Sequence, residues 1–449
     1  MNTPSKILAL CLSGLLSNAY AVDLLTVLDD AERSDPQLKS AKAQFNSTKE
    51  VRKQAFAGFL PDITASAGKS KGSRSQSIGG FSLGELPDSE TDSWQVQLQQ
   101  TLYRADVWSR YSQSKIEVAK ASIDYEIAYQ DFLQKVTKSY FDVLTSQDSL
   151  RFAMAEEKAI GRQLEQAEQR FEVGLTAITD VHEAKASYDA SRARVILSRN
   201  KVDDSFETLN EITGHHYSKL DALNSSVKVQ APVPANAKAW VELALNNSPD
   251  LGSQKLNTKV TEYNIDMAKS GHHPSLTFSA TRSGSLSGNQ FFNDADGNLG
   301  GPFDVQSYGT TYSLNVNVPI YSGGETSSKI RQARYGYEAA QEGLDQSRRG
   351  VVRSTKNAYR GTLASISEVE ARNQAVISAQ SALEATQAGF EVGTRTIVDV
   401  LLSQRQLFQS QEAYSQARHG LILNKISLER SAGTLNRNSL IEISSQLFE

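Results

Sequence analysis

Two hydrophobic periods alternate along the chain, and each occurs more than once. Leu133, Val136, Tyr140, Val143, Gln147, Leu150 and Met154 are spaced 3, 4, 3, 4, 3, 4. This is a heptad seam with one polar interruption, and it predicts a long helix packed along one face. Four other segments follow period two. Ile63, Ala65 and Ala67 alternate with Asp62, Thr64 and Ser66, and Trp94, Val96 and Leu98 with Gln95, Gln97 and Gln99. Leu276, Phe278 and Ala280 alternate with Ser275, Thr277 and Ser279, and Tyr312, Leu314, Val316, Val318 and Ile320 with Ser313, Asn315, Asn317 and Pro319. One apolar and one polar face over segments of about ten residues is the pattern of membrane-barrel strands, and equally of half-buried strands in a soluble sheet. Context weakens the soluble-sheet reading, because the polar faces are Gln and Asn rather than a charged surface. The connecting segments 70–92 and 283–307 read as long loops rich in Gly, Ser and Asp, as on the outer side of such barrels. Trp94, Phe278, Tyr308 and Tyr312, with Phe59, Tyr103 and Tyr321 near strand ends, suit aromatic girdles.

Proline placement bounds the helices. Residues 88–231 and everything after Pro319 are proline-free. A proline inside a helix costs ~3 kcal/mol, so the longest helices belong in these two gaps. A helix from about Asp106 to Phe171 would run roughly 100 Å at 1.5 Å per residue. Turns are expected at Gly174 and Gly393, each followed by a second helical run, giving two long antiparallel helical hairpins. The hairpins are copies. Phe171-Glu172-Val173-Gly174 recurs as Phe390-Glu391-Val392-Gly393, and at the same offset of 219 Ile178 matches Ile397, Asp180 matches Asp399 and Gly214 matches Gly433. Pro36 matches Pro249 and Pro61 matches Pro274 at offset 213, while Tyr103 matches Tyr321 at offset 218. A period this long means duplication of one large unit.

Composition sharpens the picture. Hydrophobic residues are 39% of the 449, below the ~45–50% of a typical globular chain, so a large dry core is not expected. The charges are too balanced for disorder, and the net charge of −4 leaves no electrostatic footprint for nucleic acid. No apolar stretch past the N-terminus approaches the ~20 residues of a membrane-spanning helix. Residues 1–21 read as an export signal: Lys6, an apolar run from Ile7 to Leu16, and the small-x-small site Ala19-Tyr20-Ala21. Cys11, the only cysteine, leaves with it, so a chain starting at Val22 forms no disulfide. Four strands do not enclose a lumen, since about eight make a barrel that side chains nearly fill. Three chains give twelve strands, an even number as in bacterial barrels, and six helical hairpins to ring a hollow cylinder.

Catalytic and metal signals are weak. His215-His216 and His272-His273 lack a third ligand at a recognisable spacing, and solvated loop histidines are the better reading. Asp294-Ala295-Asp296-Gly297-Asn298 looks like part of a calcium loop without its downstream Glu, so it reads as a turn. The expectation is a non-enzyme with no cofactor and no metal.

Three motifs carry a family resemblance. The run Arg162-Gln163-Leu164 and then Gln169 to Val181 resembles the first hairpin tip of the TolC family of outer-membrane channel-tunnels, and Ala388 to Leu401 resembles its second. Pro319-Ile320-Tyr321-Ser322-Gly323-Gly324 is similar to the family's strand-to-helix junction, and the likeness runs in register from Leu24 to about Leu435. The resemblance implies a mainly α fold with a β-barrel segment: tandem-duplicated long α-helical hairpins plus four membrane strands per chain, forming a homotrimeric 12-stranded barrel and 12-helix tunnel. It implies a passive exit duct for multidrug efflux and type I protein secretion in the outer membrane of a Gram-negative bacterium, with a large periplasmic extension. The implied partners are two further copies, outer-membrane lipid, a periplasmic adaptor (membrane fusion) protein and an inner-membrane RND, ABC or MFS-type pump. The chain then divides into a signal at 1–21, a first repeat at 22–214 with strand hairpin about 61–103 and tip about 172–178, and an equatorial linker at 215–248. A second repeat at 249–433, with strand hairpin about 274–321 and tip about 391–397, and an equatorial tail at 434–449 complete it.

By the same resemblance, iris-like opening of the tips gates the duct. Arg395 matches an arginine that bonds to the other tip, at positions matching Thr179 and Asp180, and Asp399 matches an inward-facing ring of aspartates. Leu402 stands where the family has a second ring aspartate, and Phe390 where it often has a hydrogen-bonding tyrosine, so a looser closed state is expected. Asp180 and Asp399 also lie in the first turn of a helix, and Thr396-x-x-Asp399 has capping-box spacing; gating and capping are compatible. Val173, Gly174 and Leu175, with Val392, Gly393 and Thr394, are candidate adaptor contacts, although a left-handed helix C-cap alone accounts for the glycines. The alternative is a secreted structural or adhesive coiled-coil protein of flagellin-like composition. Such a protein lacks a cleaved signal and paired strand hairpins, while a periplasmic adaptor has one helical hairpin rather than two.

Overall fold

The computed structural model describes residues 22–78, 81–224, 230–290 and 303–445, and their side chains except at 74–78, 81–87 and 289–290. Residues 1–21 with Lys6 and Cys11, expected as an export signal, residues 294–298, expected as a turn, and residues 446–449 lie outside the described residues. In chain order the elements are α1 (Leu24–Ser34), α2 (Pro36–Ala57), β1 (Asp62–Ile78), β2 (Phe81–Tyr103), α3 (Ala105–Glu172) and α4 (Ile178–Thr213). The same order repeats as α5 (Ala237–Asn247), α6 (Pro249–Ser270), β3 (Ser275–Gln290), β4 (Phe303–Asn317), α7 (Glu325–Glu391) and α8 (Ile397–Ala432), and α9 (Arg437–Ser444) follows. The fold is mainly helical with four strands. Pro36 and Pro249 open α2 and α6, where the missing N–H costs nothing and φ is already helical. α3 and α7, of 68 and 67 residues, fill the proline-free gaps.

The Cα trace separates into two compact units. Among the described residues, one comprises 22–43, 124–224, 230–252 and 347–445. Its core gathers Leu24, Val27 and Leu28 of α1 with Leu133, Val136, Tyr140 and Val143 of α3 and Ile426 of α8, all fully buried. The Tyr140 hydroxyl lies 3.1 Å from the Val22 carbonyl oxygen and donates to that of Asp221 at 2.9 Å, beneath a short bridge between Val22 and Leu220. The heptad seam is core only in this stretch. Gln147 and Leu150 are half-buried and Met154 is exposed, lining an open cavity with Val202, Phe206 and Tyr217, so this part of the seam is only partly covered among the described residues. Arg430 of α8 donates to Asp131 of α3 at 2.7 Å and to Asp250 of α6 at 2.8 Å.

The other unit, Gln44–Ile123 and Ser253–Gln346, holds a four-stranded antiparallel sheet in the order β1-β2-β3-β4. Segments 70–92 and 283–307, expected as loops, largely continue the strands: β1 pairs with β2 as far as Ile78 with Phe81, and β3 with β4 as far as Gln290 with Phe303. The alternation fades there because neither face stays apolar, and the ladder is held by backbone hydrogen bonds and by cross-strand pairs such as Lys71 with Asp88 at 3.2 Å. Register places Ile63, Ala65 and Ala67 on one face with Leu98, Val96 and Trp94, then Leu276, Phe278 and Ala280, then Val316, Leu314 and Tyr312. Ile63, Tyr312, Leu314 and Val316 on that face are more than 60% exposed, an apolar surface left uncovered by the described residues. The opposite face carries Thr64, Ser66, Gln95, Gln97, Gln99, Ser279, Thr281, Ser283, Thr311 and Ser313.

Candidate functional site: the paired helical tips

Each hairpin turns through the same local device. Gly174 follows α3 with φ 76° and Gly393 follows α7 with φ 82°, left-handed conformations that suit glycine. The Gly174 N–H donates to Phe171 O at 2.9 Å and Leu175 N–H to Arg170 O at 2.8 Å. Gly393 N–H to Phe390 O at 3.1 Å and Thr394 N–H to Gly389 O at 2.8 Å repeat the pattern. Both are Schellman caps, which satisfy the last carbonyls of the long helices. The turns present Val173, Leu175 and Val392 at 68%, 70% and 75% exposure, with Gly174, Gly393 and Thr394 exposed beside them. Three apolar side chains are held outward beside the caps, and nothing among the described residues covers them.

The two tips part company at the start of their return helices. Thr396 caps α8, its hydroxyl accepting the Asp399 N–H at 3.3 Å while the Asp399 carboxylate accepts the Thr396 N–H at 2.9 Å, a full capping box. The Asp399 carboxyl is held below its ordinary pKa first by the Thr396 backbone bond, then by the Thr396 hydroxyl, with Arg395 adding attraction. In the first tip Ala177 takes the cap position and makes no side-chain cap. Asp180 instead accepts from the Thr176 hydroxyl, and Thr179 is exposed. Within one chain Arg395 does not meet Thr179 or Asp180. Its stem lies over Gly389, whose Cβ would sit 2.8 Å from Arg395 Cγ, and among the described residues its guanidinium has no ion pair. Leu402 is 54% exposed one residue beyond the buried Leu401.

Phe390 is partly buried. It packs against a cluster of Ile160, Ala167, Ala184, Ile397 and Leu401, and the Arg170 guanidinium lies 4.8 Å from its ring centroid. Arg170 thus joins the end of α3 to the end of α7 by a cation–π contact. Sequence reasoning quoted Arg170 within the first tip but gave it no role, because its partner lies 220 residues away. Two polar clusters higher on the hairpins were also missed. Glu156 of α3 has only 3% of its side chain exposed and lies 2.6 Å from Arg194 of α4 and 3.9 Å from Arg405 of α8. Burial pushes its carboxyl up despite both guanidinium groups. His419 of α8 is buried against Thr145 and Asp148 of α3, and Ser415 also donates to Asp148. Single charged letters on long helices give no signal for such clusters until the helices are paired.

Elsewhere, His216 lies 3.4 Å from Asn210 and His273 3.5 Å from the Tyr103 hydroxyl, and among the described residues no three His, Cys, Asp or Glu side chains converge as metal ligands. No described helix is long and apolar enough to cross a membrane.

The chain is similar over nearly its whole length to proteins of known type. The outer membrane protein TolC of Vibrio cholerae is 37% identical over 435 residues, covering 97% of this chain and 96% of that one. The alkaline protease secretion protein AprF of Pseudomonas aeruginosa is 25% identical, covering 95% and 87%. The crystal structure of CusC, described in terms of transmembrane channel formation, aligns with a TM-score of 0.75 at 14% identity over 92% of each chain. The sequence model of the outer membrane efflux protein family matches residues 27–215 and 240–434, one match for each repeat. Fold, tips and sequence therefore agree: the chain belongs to the outer membrane efflux protein family of TolC-like channel-tunnels.

Proposed function

We propose that this outer-membrane chain is one third of a passive exit duct, closed at its helical tips until it docks with an adaptor and an inner-membrane pump. The observation that carries the trimer is the sheet edge. β1 and β4, of 17 and 15 residues, are the two edges of a four-stranded sheet whose apolar face is exposed. Unpaired strand edges are not tolerated in lipid, so the edges must pair with other copies. Three copies close a twelve-stranded barrel with a lumen of Ser, Thr, Gln and Asn side chains. A lumen lined mostly by small and neutral polar side chains, with Asp62 near one end, suits many cargoes, from drugs to the secreted proteins implied by the relative named for protease secretion. The chain contributes a conduit and a gate rather than a reaction. Residues 215–248 and 434–449 form the equatorial part of this reading, and the two repeats supply strands and hairpins.

The gate assigned here is Arg395 with Asp399, Thr179 and Asp180 across neighbouring tips. Its support is the unpaired Arg395 guanidinium beside the Asp399 carboxylate, while Asp180 and Asp399 are anchored in their own first turns. Val173, Gly174, Leu175, Val392, Gly393 and Thr394 are the adaptor-docking surface, carried by the three exposed apolar side chains. Single-channel recording in lipid bilayers tests the gate. Arg395→Ser is expected to raise conductance, and trivalent cations from the tip side are expected to block through the Asp399 ring. Unchanged conductance in the variant removes Arg395 from the gate, and failure of block removes the Asp399 ring. Heat-modifiable trimer migration of the outer-membrane fraction tests the assembly; a monomer would exclude it.

A further inference from the structure

The duplication aligns the strands as well as the helices. Offset 213 places Lys69 of β1 on Arg282 of β3, and offset 218 places Glu90 and Asp92 of β2 on Tyr308 and Thr310 of β4. Strand pairing agrees, with Lys69 opposite Asp92 and Arg282 opposite Thr310. In the first hairpin the cation is neutralised internally: Lys69 Nζ lies 3.4 Å from Glu90 and 3.7 Å from Asp92. In the second hairpin both carboxylates have been replaced by neutral residues. The Arg282 side chain is exposed, and among the described residues it has no ion pair or hydrogen-bond partner. Its other cross-strand neighbour is Val96.

Arg282 lies on the apolar face of the sheet. Moving away from the helices, it is the first charged residue on that face in β3, as Lys69 is in β1 and Asp92 in β2. These positions mark the line where the apolar band ends. Trp94 and Tyr308 lie on either side of Gly284, the next residue of β3 on that face. Their rings close over it, so that a Cβ there would lie 2.5 Å from Trp94 Nε1 and 2.9 Å from Tyr308 Cδ1. Tryptophan and tyrosine gather at the headgroup level of membranes, where an arginine is tolerated far better than at the midplane. A guanidinium is shaped for bidentate bonds to phosphate. β3 has β2 and β4 of its own chain on both sides, so the sheet offers Arg282 no counter-ion from an adjacent copy on either flank.

We propose that Arg282, with Trp94 and Tyr308 beside it, binds the phosphate of an outer-leaflet lipid headgroup. The proposal rests on the reading of the apolar sheet face as the lipid-facing wall of a barrel. The test uses the full-length protein purified in detergent, titrated with diphosphorylated lipid A, with dephosphorylated lipid A and with inorganic phosphate, and read by native mass spectrometry. Wild type is expected to retain diphosphorylated lipid A about tenfold more tightly than Arg282→Gln, the loss of one charge-assisted contact. Arg282→Lys should fall between them, and Lys69→Gln should match wild type because Lys69 is already paired. Dephosphorylated lipid should not distinguish the proteins. Equal retention by wild type and Arg282→Gln overturns the proposal, and so does displacement of the lipid by millimolar inorganic phosphate, which would make the site a free-anion site. Outer-membrane fractionation and channel conductance of Arg282→Gln should equal those of wild type. A wild-type protein that neither fractionates with the outer membrane nor conducts would instead overturn the barrel reading.

Discussion

Acid should loosen the helical unit through one side chain. His419 is 4% exposed, its ring 5.6 Å from that of Phe141, its Nδ1 2.8 Å from Thr145 Oγ1 and its Nε2 3.9 Å from Asp148. Burial pushes its pKa down to about 4, outweighing the upward pull of Asp148, and Arg418 and Arg151 push in the same direction as burial. An unfolded histidine titrates near 6.5. As pH falls through 6.5 the unfolded chain therefore takes up a proton that the folded chain refuses, so stability is full above that pH and drains away toward pH 4. The full effect is about 3 kcal/mol per chain, and between pH 7 and pH 5 it is about 2 kcal/mol. Urea unfolding of purified wild type and His419→Gln at both pH values isolates it, since glutamine keeps a polar atom near Thr145 and does not titrate. The stability lost from pH 7 to pH 5 should be about 2 kcal/mol per chain larger in wild type than in the variant. Equal losses in the two proteins, to within about 0.5 kcal/mol, would show that His419 is not held neutral by burial.

Two further substitutions follow from the same geometry. Gly433→Ala forces a φ of 70° on alanine and drives its Cβ to within 2.5 Å of the Asn247 carbonyl oxygen, so a loss above about 3 kcal/mol and little assembled protein are expected. Gly174→Ala meets the same backbone strain at φ 76° with nothing within 4 Å, and should cost only about 1–2 kcal/mol; equal losses on urea unfolding would refute the steric argument. Glu156→Ala leaves Arg194 and Arg405 facing a buried gap. Breaking a buried pair costs about 3–5 kcal/mol, and because both arginines are more than a third exposed about 2 kcal/mol is expected here, with Glu156→Gln nearer to wild type. A neutral Glu156→Ala on urea unfolding would contradict the clasp.

The helices were legible because their signals are redundant. Missing prolines, a seven-residue period and duplicated Phe-Glu-Val-Gly motifs all point to the same boundaries, and α3 begins and ends within one residue of its expected limits. The strands were legible only where their faces differ. Beyond Lys69 and Asp92 both faces are polar, period two disappears, and the strands continue on backbone pairing that no side-chain pattern records. The seam failed in a related way: Met154 is in register but exposed, because period alone does not say whether a partner surface exists within the chain. At the tips, Thr396-x-x-Asp399 announced its capping box, whereas the Arg170–Phe390 contact joins separate hairpins and has no local signature.

Comparison of the two repeats suggests where the chain meets its surroundings. In the first, polar groups at surface positions find partners nearby: Asp180 takes the Thr176 hydroxyl, and Lys69 lies between Glu90 and Asp92. In the second, the positions equivalent to Thr176 and Lys69 are arginines, and each is left unpaired among the described residues. Arg395 stands beside an aspartate already committed to its own helix cap, and Arg282 beside a tyrosine and a threonine where the first repeat has two carboxylates. Duplication explains how this is sustained. In the strand hairpins the first copy keeps its cation neutralised while the second has lost both carboxylates, and at the tips the second copy has gained a cation where the first has a neutral threonine. One unpaired arginine lies at a helical tip and the other at the edge of the apolar band of the sheet. Within this architecture the informative positions are those where the repeats disagree in charge, because agreement reports the shared fold and disagreement reports what each copy touches.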